Sequence, residues 1–333
     1  MRRLRCAARI LFAGLLAATI GLSASERTVG DQLAEVSTAL QAGEADKALT
    51  LLHSIPPPET AEAYNLECRV RFTLEQWDAA ASACEQAVRL DGQNSGHHLW
   101  LGRALGEKAN RATFLSAYSL AKRVRTEFEE SVRLNPRSAE ALADLGDFYR
   151  QAPGVVGGGI EKAEQIAAQL DKVDPARANE LRGRIADDRK DYETAEREFK
   201  LAIAVAAHPA FQWVTLANFY RERKRWTEME SAVHSIIVAA GRDKHAGVAL
   251  YDGASVLTGA NRDPELAANM LEDYMAGSRK TEEAPAFVAL TRLARLRSQL
   301  GDDAAATRER AEALALAHEY KPAQDSGAQE TKH

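Results

Sequence analysis

Histidine and paired acidic residues are the side chains of this chain that could do catalytic or metal chemistry. His97 and His98 are adjacent, so on a helix they would point about 100° apart and could not hold one metal ion as an i, i+4 pair does. Adjacent acids such as Asp187-Asp188 and Glu129-Glu130 are expected on solvated helix faces. Five further histidines stand singly and are expected at the surface or at helix ends: His53, His208, His234, His245 and His318.

The sequence motifs of common enzymes and metalloproteins are also missing. The chain has no nucleophile elbow, no His-Glu-x-x-His and no Cys-x-x-Cys. We therefore predict that the protein is not an enzyme and that it has no catalytic residues, no metal site and no cofactor. The elements that carry the remaining candidate residues must then be identified from sequence spacing.

The first 25 residues have the three parts of a secretory signal peptide. Arginines at positions 2, 3, 5 and 9 precede an apolar run from Ile10 to Leu22, and the small residues Ser23, Ala24 and Ser25 follow. The run is shorter than the roughly 20 residues that a membrane-spanning helix needs. We predict cleavage near Ala24 or Ser25 and a periplasmic or secreted mature protein that does not insert into the membrane. The alternative is an uncleaved leader that anchors the chain.

Net charge and composition restrict the classes of partner and of fold. Lys and Arg number 43 against 48 Asp and Glu, and removal of the four leader arginines leaves 39 against 48. Such an acidic chain has no bulk basic surface for nucleic acid. Hydrophobic residues make up 45% and aromatic residues 6% of the chain, which together with abundant alanine favours closely packed helices over sheets.

Three segments share one helical pattern, in which a leucine, a small residue and a large apolar residue fall on one face. The segments are His98–Leu105, Leu142–Tyr149 and Trp213–Tyr220. The small residue would let a second helix approach closely. Cys68, Gly183 and Ala294 hold the same position elsewhere, and alanine follows each of them twelve and nineteen residues later. This spacing predicts helical hairpins whose two helices touch through small side chains.

The period of these hairpins resembles that of the tetratricopeptide repeat family. Cys68 and Gly102 are 34 residues apart, and so are Gly183 and Ala217. Helix-ending segments such as Leu134-Asn135-Pro136 strengthen the resemblance. It implies an all-α superhelix, or α-solenoid, and a role in binding other proteins.

The resemblance covers nearly the whole chain after the leader. About eight hairpins are expected over residues 26–320, and the segment 321–333, which is polar and lacks periodicity, is predicted to be a disordered tail. The hairpin boundaries with the clearest signals are expected near Ala61, Ala139, Arg177 and Ala210.

Two insertions interrupt the repeat pattern. The third hairpin is lengthened over residues 106–118, which places Phe114 and Tyr118 in a predicted helical extension. The second insertion, 152–159, is rich in glycine and resembles an Ala-Pro and Gly-Gly element of bacterial envelope tetratricopeptide proteins. No strand precedes it and no Ser or Thr follows Lys162, so it does not fit a phosphate-binding loop. We interpret it as a turn that requires positive φ angles.

Two cysteines remain once the leader is removed, and the resemblance places them on facing helices of one hairpin. Cys68 would lie on the first helix and Cys84 on the second. A disulfide between them is one interpretation, because an exported protein meets an oxidising compartment. Two buried thiols that fill small-residue positions are the other.

The resemblance also indicates which surface would bind a partner, because the first helix of each hairpin lines the concave face of such solenoids. The residues expected to project there are Arg69, Arg103, Asp147, Arg150, Arg184, Asn218, Arg221 and Arg295. This basic strip predicts a protein or peptide partner, and an acidic one in particular, since guanidinium binds carboxylate in two-point geometry. Alternatively, the arginines pair with helix acids such as Glu62, Glu67 or Glu180 and bind nothing.

The function predicted from these features is a scaffold or adaptor in the cell envelope, which holds a partner polypeptide on its concave face. The alternative is an assembly or regulatory subunit of an envelope or secretion complex, tethered to the membrane by an uncleaved leader. The sequence predicts no oligomeric state.

Overall fold

The computed structural model describes residues 28–57, 60–243, 245–277 and 280–330. Within these ranges the chain forms seventeen α-helices, one 3-10 turn (Gly154–Val156) and no β-strand. The helices are α1 (Val29–Ala42), α2 (Ala45–His53), α3 (Ala61–Thr73), α4 (Trp77–Leu90), α5 (Ser95–Arg111), α6 (Phe114–Leu134), α7 (Ala139–Gln151), α8 (Ile160–Leu170), α9 (Pro175–Asp188), α10 (Tyr192–Val205), α11 (Ala210–Glu222), α12 (Trp226–Arg242), α13 (Val248–Ala260), α14 (Pro264–Ala276), α15 (Ala286–Gln299), α16 (Asp303–Leu316) and α17 (Lys321–Glu330). The predicted leader lies outside the described residues.

Consecutive helices pair as eight hairpins, from α1–α2 to α15–α16, so the predicted all-α solenoid is confirmed. Three of the hairpins predicted from the sequence begin at Ala61, Ala139 and Ala210, and the one expected near Arg177 begins at Pro175. We call the first helices of the second to eighth hairpins, α3, α5, α7, α9, α11, α13 and α15, the inner helices.

Polar side chains fix where several inner helices begin. Thr60, Ser138 and Asp174 each accept a hydrogen bond from the backbone N–H three residues later. These bonds satisfy an amide that the first helical turn would otherwise leave without a partner. Pro175 adds a fixed φ at the first position of α9, where its missing N–H costs nothing.

Small residues let the two helices of a hairpin touch, as predicted. A Cβ at Gly102 would lie 2.5 Å from Cε1 of Phe128, and one at Gly183 would lie 2.5 Å from Cε1 of Phe199, so neither position has room for a side chain. The seventh hairpin uses Gly253, which the sequence pattern does not identify. The alanines predicted at the second-helix positions are all at most 1% exposed: Ala80, Ala87, Ala195, Ala202, Ala306 and Ala313.

The first and last hairpins pack against each other and close the solenoid into one turn. An apolar cluster joins Leu40 and Leu49 of the first hairpin to Phe287, Ala313 and Tyr320 at the other end of the chain. Phe287 is 1% exposed and its ring centroid lies 4.9 Å from that of Tyr320. We call this contact the closure and the eight hairpins that it joins the ring.

A glycine permits the tightest approach within the closure. Gly43 ends α1 with a φ of 75°, a left-handed conformation that side chains disfavour. A Cβ at this position would lie 2.3 Å from the backbone nitrogen of Ala286, at the start of α15. Both the backbone angle and the available space therefore require glycine here.

Ion pairs and hydrogen bonds surround the apolar part of the closure. His318 contacts Asp46 with its Nδ1 2.8 Å from Oδ2, and Glu319 accepts hydrogen bonds from Gln76 at 2.8 Å and Arg71 at 3.3 Å. The Tyr320 hydroxyl donates to Glu75 at 3.2 Å. These contacts join residues more than 200 positions apart, so the closure is entirely a tertiary feature.

The segment after Tyr320 differs from the prediction of a disordered tail. Residues 321–330 form α17, and Ala323 is fully buried in the apolar cluster of the closure. The buried Ala323 seats the start of this helix against the closure. Residues 331–333 lie outside the described part of the chain.

Both insertions adopt defined structures. The first consists of the adjoining ends of α5 and α6, which meet at residues 112–113. The glycine-rich insertion begins where α7 ends at Gln151, and Gly157 has the expected positive φ, at 96°. Arg125 of α6 packs over Gly157, while Lys162 donates a hydrogen bond to the Gly157 carbonyl at 2.8 Å. The lysine therefore braces the turn from within the chain.

Candidate functional site

A cavity of about 830 Å³ lies inside the ring. Residues of α3 to α7 and of the glycine-rich insertion form one wall, and residues of α13, α15 and the connection before α15 form the other. Its volume is typical of ligand-binding sites and would accept a peptide segment but not a folded domain. The aromatic residues of its lining are Phe72, Trp77, Trp100, Phe128, Phe148 and Tyr251.

Trp100 of α5 is the aromatic residue that two arginines of the predicted strip share. The Cζ atoms of Arg69 and Arg103 lie 5.4 Å and 4.8 Å from the centroid of the Trp100 ring. At these distances the guanidinium groups interact with the negative face of the ring. This part of the strip and the aromatic lining of the cavity therefore form one surface.

Glu282 is the acidic partner of Arg69. Nε and Nη2 of Arg69 donate to the two carboxylate oxygens at 2.8 Å and 2.6 Å, and Gln41 adds a third hydrogen bond at 3.3 Å. The two charged side chains are 17% and 12% exposed, so this two-point pair is largely shielded from solvent. It joins the second hairpin to the connection between α14 and α15.

A buried tyrosine holds the turn that carries Glu282. The Tyr274 hydroxyl donates to the Ala284 carbonyl at 2.5 Å and accepts from the Thr281 backbone N–H at 3.3 Å. Tyr274 is 1% exposed, and its burial raises its pKa to about 12, so the hydroxyl stays protonated. The 281–284 turn is consequently fixed against the inner helices.

Further ion pairs link one inner helix to the next. Arg103 binds Asp144 at 2.6 Å and Glu140 at 2.8 Å, which connects α5 to α7. Asp147 of α7 accepts from Arg150 on its own helix and from Arg184 on α9. We call this series, together with the Arg69–Glu282 pair, the ladder.

The ladder continues through α9. Arg150 donates to both carboxylate oxygens of Asp188, at 2.9 Å and 2.8 Å. Asp187, its neighbour, pairs with Arg223 at the end of α11. The adjacent acids Asp187 and Asp188 thus have structural partners on two different helices.

The predicted strip residues divide into two groups in the structure. Arg103 and Asp147 line the cavity, Arg69 binds a residue that lines it, and Arg150 and Arg184 support Asp147. The remaining three lie away from it. Asn218 donates to the Val214 carbonyl of its own helix, Arg221 packs over Gly259 of α13, and Arg295 donates to the Pro322 carbonyl of α17.

The arginines that line or support the cavity are paired with acids, as the second interpretation of the strip anticipated, but mostly with different ones. Glu67 pairs with Arg71 at 3.6 Å, and Glu62 lies 3.7 Å from His97. Glu180 accepts from Thr215 at 3.0 Å. A local sequence pattern could not have identified the true partners, because they lie on neighbouring inner helices or on the distant 281–284 turn.

Glu283 of the opposite wall, and Asp252, which follows the lining residue Tyr251, have no hydrogen bond or ion pair among the described residues. Burial raises the pKa of Asp252, to about 6, in spite of the opposing charge of Arg292. Burial also raises the pKa of Glu283, and the nearby carboxylates of Glu140 and Glu282 add to this effect. Arg292 near Asp252, and Arg103 and Arg177 near Glu283, oppose these shifts without forming a direct ion pair.

These opposite-wall residues are the part of the site that the sequence pattern missed. Arg292 lies over Tyr251 with its Cζ 4.3 Å from the ring centroid, and it also donates to Ser255. Gly253, the small residue of the seventh hairpin, is 36 residues after Ala217 and 41 before Ala294, so a search at the 34-residue period does not find it. Recognition of Gly253 would have drawn attention to Tyr251 and Asp252.

Cys68 and Cys84 are bonded to each other in the structure, with Cα atoms 5.2 Å apart. Both residues are fully buried between α3 and α4. Cys68 is directly before Arg69, so the bond fixes the helix that carries one side of the Arg69–Glu282 pair. Of the two interpretations offered by the sequence, the structure contains the disulfide.

The histidines either lie at the surface or, as His98 does, form hydrogen bonds with neighbouring residues of the chain. The five single histidines are all exposed. His98 is 7% exposed, and its two ring nitrogens lie 2.6 Å from Glu127 and 3.1 Å from the Gly92 carbonyl. The hydrogen bond with Glu127 raises the His98 pKa. Within the described ranges, no group of three or more His, Cys, Asp or Glu residues is arranged to hold a metal ion.

Comparison with known proteins gives limited matches. No family model matches the chain. A 134-residue segment, 39% of this chain, is 25% identical to Superkiller complex protein 3 of Mus musculus and spans 8% of that protein. Among solved structures, a thermophilic TPR protein of Thermus thermophilus is 18% identical, with a TM-score of 0.48, over 57% of this chain and 97% of that one.

A tetratricopeptide repeat protein of Parabacteroides merdae is 13% identical, with a TM-score of 0.44, over 81% of this chain and 93% of that one. Likeness at these identities concerns the fold alone. The hairpins, their small-residue contacts and their 34-residue steps are what confirm the predicted resemblance to tetratricopeptide repeats.

Proposed function

We propose, on the premise that this chain is a tetratricopeptide-type solenoid, that it is a non-enzymatic scaffold of the cell envelope that binds a segment of a partner polypeptide inside its ring. The observation that carries this proposal is the cavity of about 830 Å³ between opposite inner helices. Solenoids offer their concave surfaces to partners, and here that surface forms a cavity open to solvent. The volume of the cavity suits an extended segment or a single helix better than a globular domain.

The lining of the cavity fits a polypeptide better than a small polar substrate. Phe72, Trp77, Trp100 and Phe148 offer apolar and aromatic surface of the kind that anchors side chains at protein interfaces. The charged residues between them are held by the ladder in fixed positions. A partner would therefore meet a preorganised surface, which lowers the entropy lost on binding.

The predicted acidic character of the partner meets a specific obstacle. Arg69 is bound by Glu282 and Arg103 by Asp144, so a carboxylate ligand would have to displace a carboxylate of the chain itself. An acidic partner stays a prediction, and it requires that the partner's carboxylate replace Glu282 or Asp144. The alternative of a tethered assembly subunit depends on residues 1–25, which lie outside the described part of the chain.

Site-specific photocrosslinking in the native envelope tests the proposal. A photoreactive residue at Asn110, an exposed position that lines the cavity, is compared with one at Gln169, an exposed position on α8 outside it. We expect one protein to be trapped from Asn110 and not from Gln169. Equal, diffuse labelling from both positions would overturn the proposal.

The same assay tests the charge of the partner. In a Glu282→Gln variant, Arg69 loses its carboxylate and becomes available to a ligand. If the partner is acidic at this point, the yield of the Asn110 crosslink rises. An unchanged yield would contradict an acidic contact at Arg69, while leaving the cavity as the binding site.

A further inference from the structure

The end of the α5–α6 hairpin is the most exposed apolar feature of the described chain. Phe114 is 86% exposed and Leu115 is 81% exposed, and Tyr118 follows one turn later at 37%. The other large exposed apolar side chains are less exposed, Val155 the most of them at 69%, and only Leu201 and Val205 are neighbours, one turn apart on α10 at 44% and 52%. We call residues 111–118 the tip.

The tip projects beyond the other hairpins because its helices are longer. α6 has 21 residues, whereas α4 and α10 have 14 each. Seven additional residues correspond to about 10 Å of helix. Two neighbouring apolar side chains thus stand at the end of a protrusion, where no other part of the described chain covers them.

The residues around the tip are basic in an otherwise acidic protein. Residues 108–126 contain no Asp or Glu but contain five basic residues: Lys108, Arg111, Lys122, Arg123 and Arg125. Three of them form exposed ion pairs, Lys108 with Asp78, Arg111 with Glu107 and Arg123 with Glu85. Exposed pairs of this kind contribute little to stability and can exchange for other anions.

Lys122 completes the basic surroundings, whereas Arg125 is engaged at the glycine-rich insertion, where it packs over Gly157 and donates to the Val156 carbonyl at 3.3 Å. The ammonium group of Lys122 lies 4.5 Å from the centroid of the Tyr118 ring, and Arg125 pairs with Glu129 at 3.6 Å. Tyrosine with an apolar ring and a polar end, next to a long cationic side chain, suits the boundary between water and hydrocarbon.

We propose that the tip binds the surface of a bilayer that contains anionic lipids. Phe114 and Leu115 enter the boundary between head groups and acyl chains, and the basic residues behind them contact lipid phosphates. Shape favours a lipid surface over a protein partner. A convex end with two adjacent apolar side chains cannot provide the roughly 800 Å² per partner of a standard protein interface, whereas a bilayer deforms around it.

This contact is peripheral and does not require the chain to cross a membrane. No helix in the described ranges is sufficiently long and apolar for that. The proposal does not use the cavity residues: the same two helices, α5 and α6, line the cavity, but Phe114, Leu115 and Tyr118 are not among the lining residues. The proposal agrees with the expectation that the mature protein does not insert into the membrane, and it adds that the protein binds at the membrane surface.

Vesicle sedimentation of the mature chain tests the proposal. Phosphatidylcholine vesicles with and without about 30 mol % phosphatidylglycerol are compared, at low and at high salt. We expect binding to the anionic vesicles that weakens with salt, and a drop of at least about tenfold in partition coefficient for Phe114→Ser/Leu115→Ser. The matched control, Leu90→Ser/Val205→Ser, removes two apolar side chains that are 51% and 52% exposed elsewhere and should bind like the wild type.

A second readout locates the contact. An environment-sensitive dye on a Ser116→Cys variant should shift its emission to shorter wavelength on anionic vesicles, and the same dye on a Gln169→Cys variant should not. Wild-type protein that binds neither vesicle, or a tip variant that binds as well as the wild type, would overturn the proposal. A third result would also overturn it: the Phe114→Ser/Leu115→Ser variant binds vesicles as the wild type does but loses the protein crosslink from Asn110. The tip would then be a contact for a protein.

Discussion

The inner surface of the ring and the tip of the α5–α6 hairpin differ in whether their side chains have partners within the chain. On the inner surface, Arg103 and Asp147 are held by partners from other helices, and Arg69 is held by Glu282 of the connection before α15. At the tip, Phe114 and Leu115 extend into solvent. The proposed binding surface inside the ring therefore also contributes to stability, whereas the proposed contact at the tip has no structural role.

This difference has a consequence for experiments. A substitution on the inner surface changes folding and binding together, because the ladder joins consecutive inner helices. A substitution at the tip should change binding alone. Four predictions test the contrast, and they follow in order of expected effect on the free energy of unfolding.

Loss of the disulfide should have the largest effect. Cys68 and Cys84 are 16 residues apart, and opening a loop of this size should lower the free energy of unfolding by about 3 kcal/mol. The Cys68→Ala/Cys84→Ala variant, compared with wild type by urea denaturation, measures this change. In reducing buffer the wild type should approach the variant. Thiols that react with alkylating reagent in the native, unreduced protein would contradict the bond.

Loss of the Glu282 carboxylate should have the next largest effect. Glu282→Gln leaves the shielded Arg69 guanidinium without its two-point partner, at a cost of about 2–3 kcal/mol. The control is Glu107→Gln, which breaks the exposed pair with Arg111 on one helix and should change stability by less than about 0.5 kcal/mol. If both variants lost the same free energy of unfolding, the shielded Arg69–Glu282 pair would contribute no more to stability than the exposed Glu107–Arg111 pair.

Removal of the Asp252 charge should stabilise the protein. Its pKa is about 6 in the folded state, above the ordinary value of 3.8, so the folded state disfavours the ionised form. Wild-type stability should therefore fall as the pH rises from about 4 to about 6, and this loss should persist at neutral pH. Asp252→Asn should gain about 2–3 kcal/mol at pH 7 and little at pH 4. Denaturation curves at both pH values test the sign.

Changes at the tip should have the smallest effect on stability. Phe114→Ser/Leu115→Ser should alter the free energy of unfolding by less than about 0.5 kcal/mol, because both side chains are already in solvent. Phe128→Ala on the same hairpin is the control, since this side chain is 7% exposed and its removal should cost about 3 kcal/mol. A large loss in the tip variant would mean that Phe114 or Leu115 supports the fold.

The hairpins were predictable because each depends on residues close in sequence. The small residues at Gly102 and Gly183, and the alanines that follow Gly183, record the contact between two helices separated by one short loop. The disulfide hairpin could be located for the same reason. Gly253 was missed because the units around it are longer than the 34-residue period.

The closure and the ladder could not be predicted in this way. The closure depends on the summed rotation between eight hairpins, and no single repeat encodes it. Arg69 was expected to project inward, but its partner Glu282 lies 213 residues away in a connection without repeat signals. The helix after Tyr320 was missed because it is seated through Ala323, one small residue in a polar segment.

Closure also fixes the number of repeats. An open solenoid can gain or lose a unit at one end and remain folded, because each unit depends only on its neighbours. In this chain Gly43 must meet Ala286, and the turn before α15 must bring Glu282 to Arg69. Duplication or deletion of one hairpin would displace these contacts by the width of a whole unit. The protein is therefore constrained to vary by substitution and loop length, and not by the gain or loss of repeats.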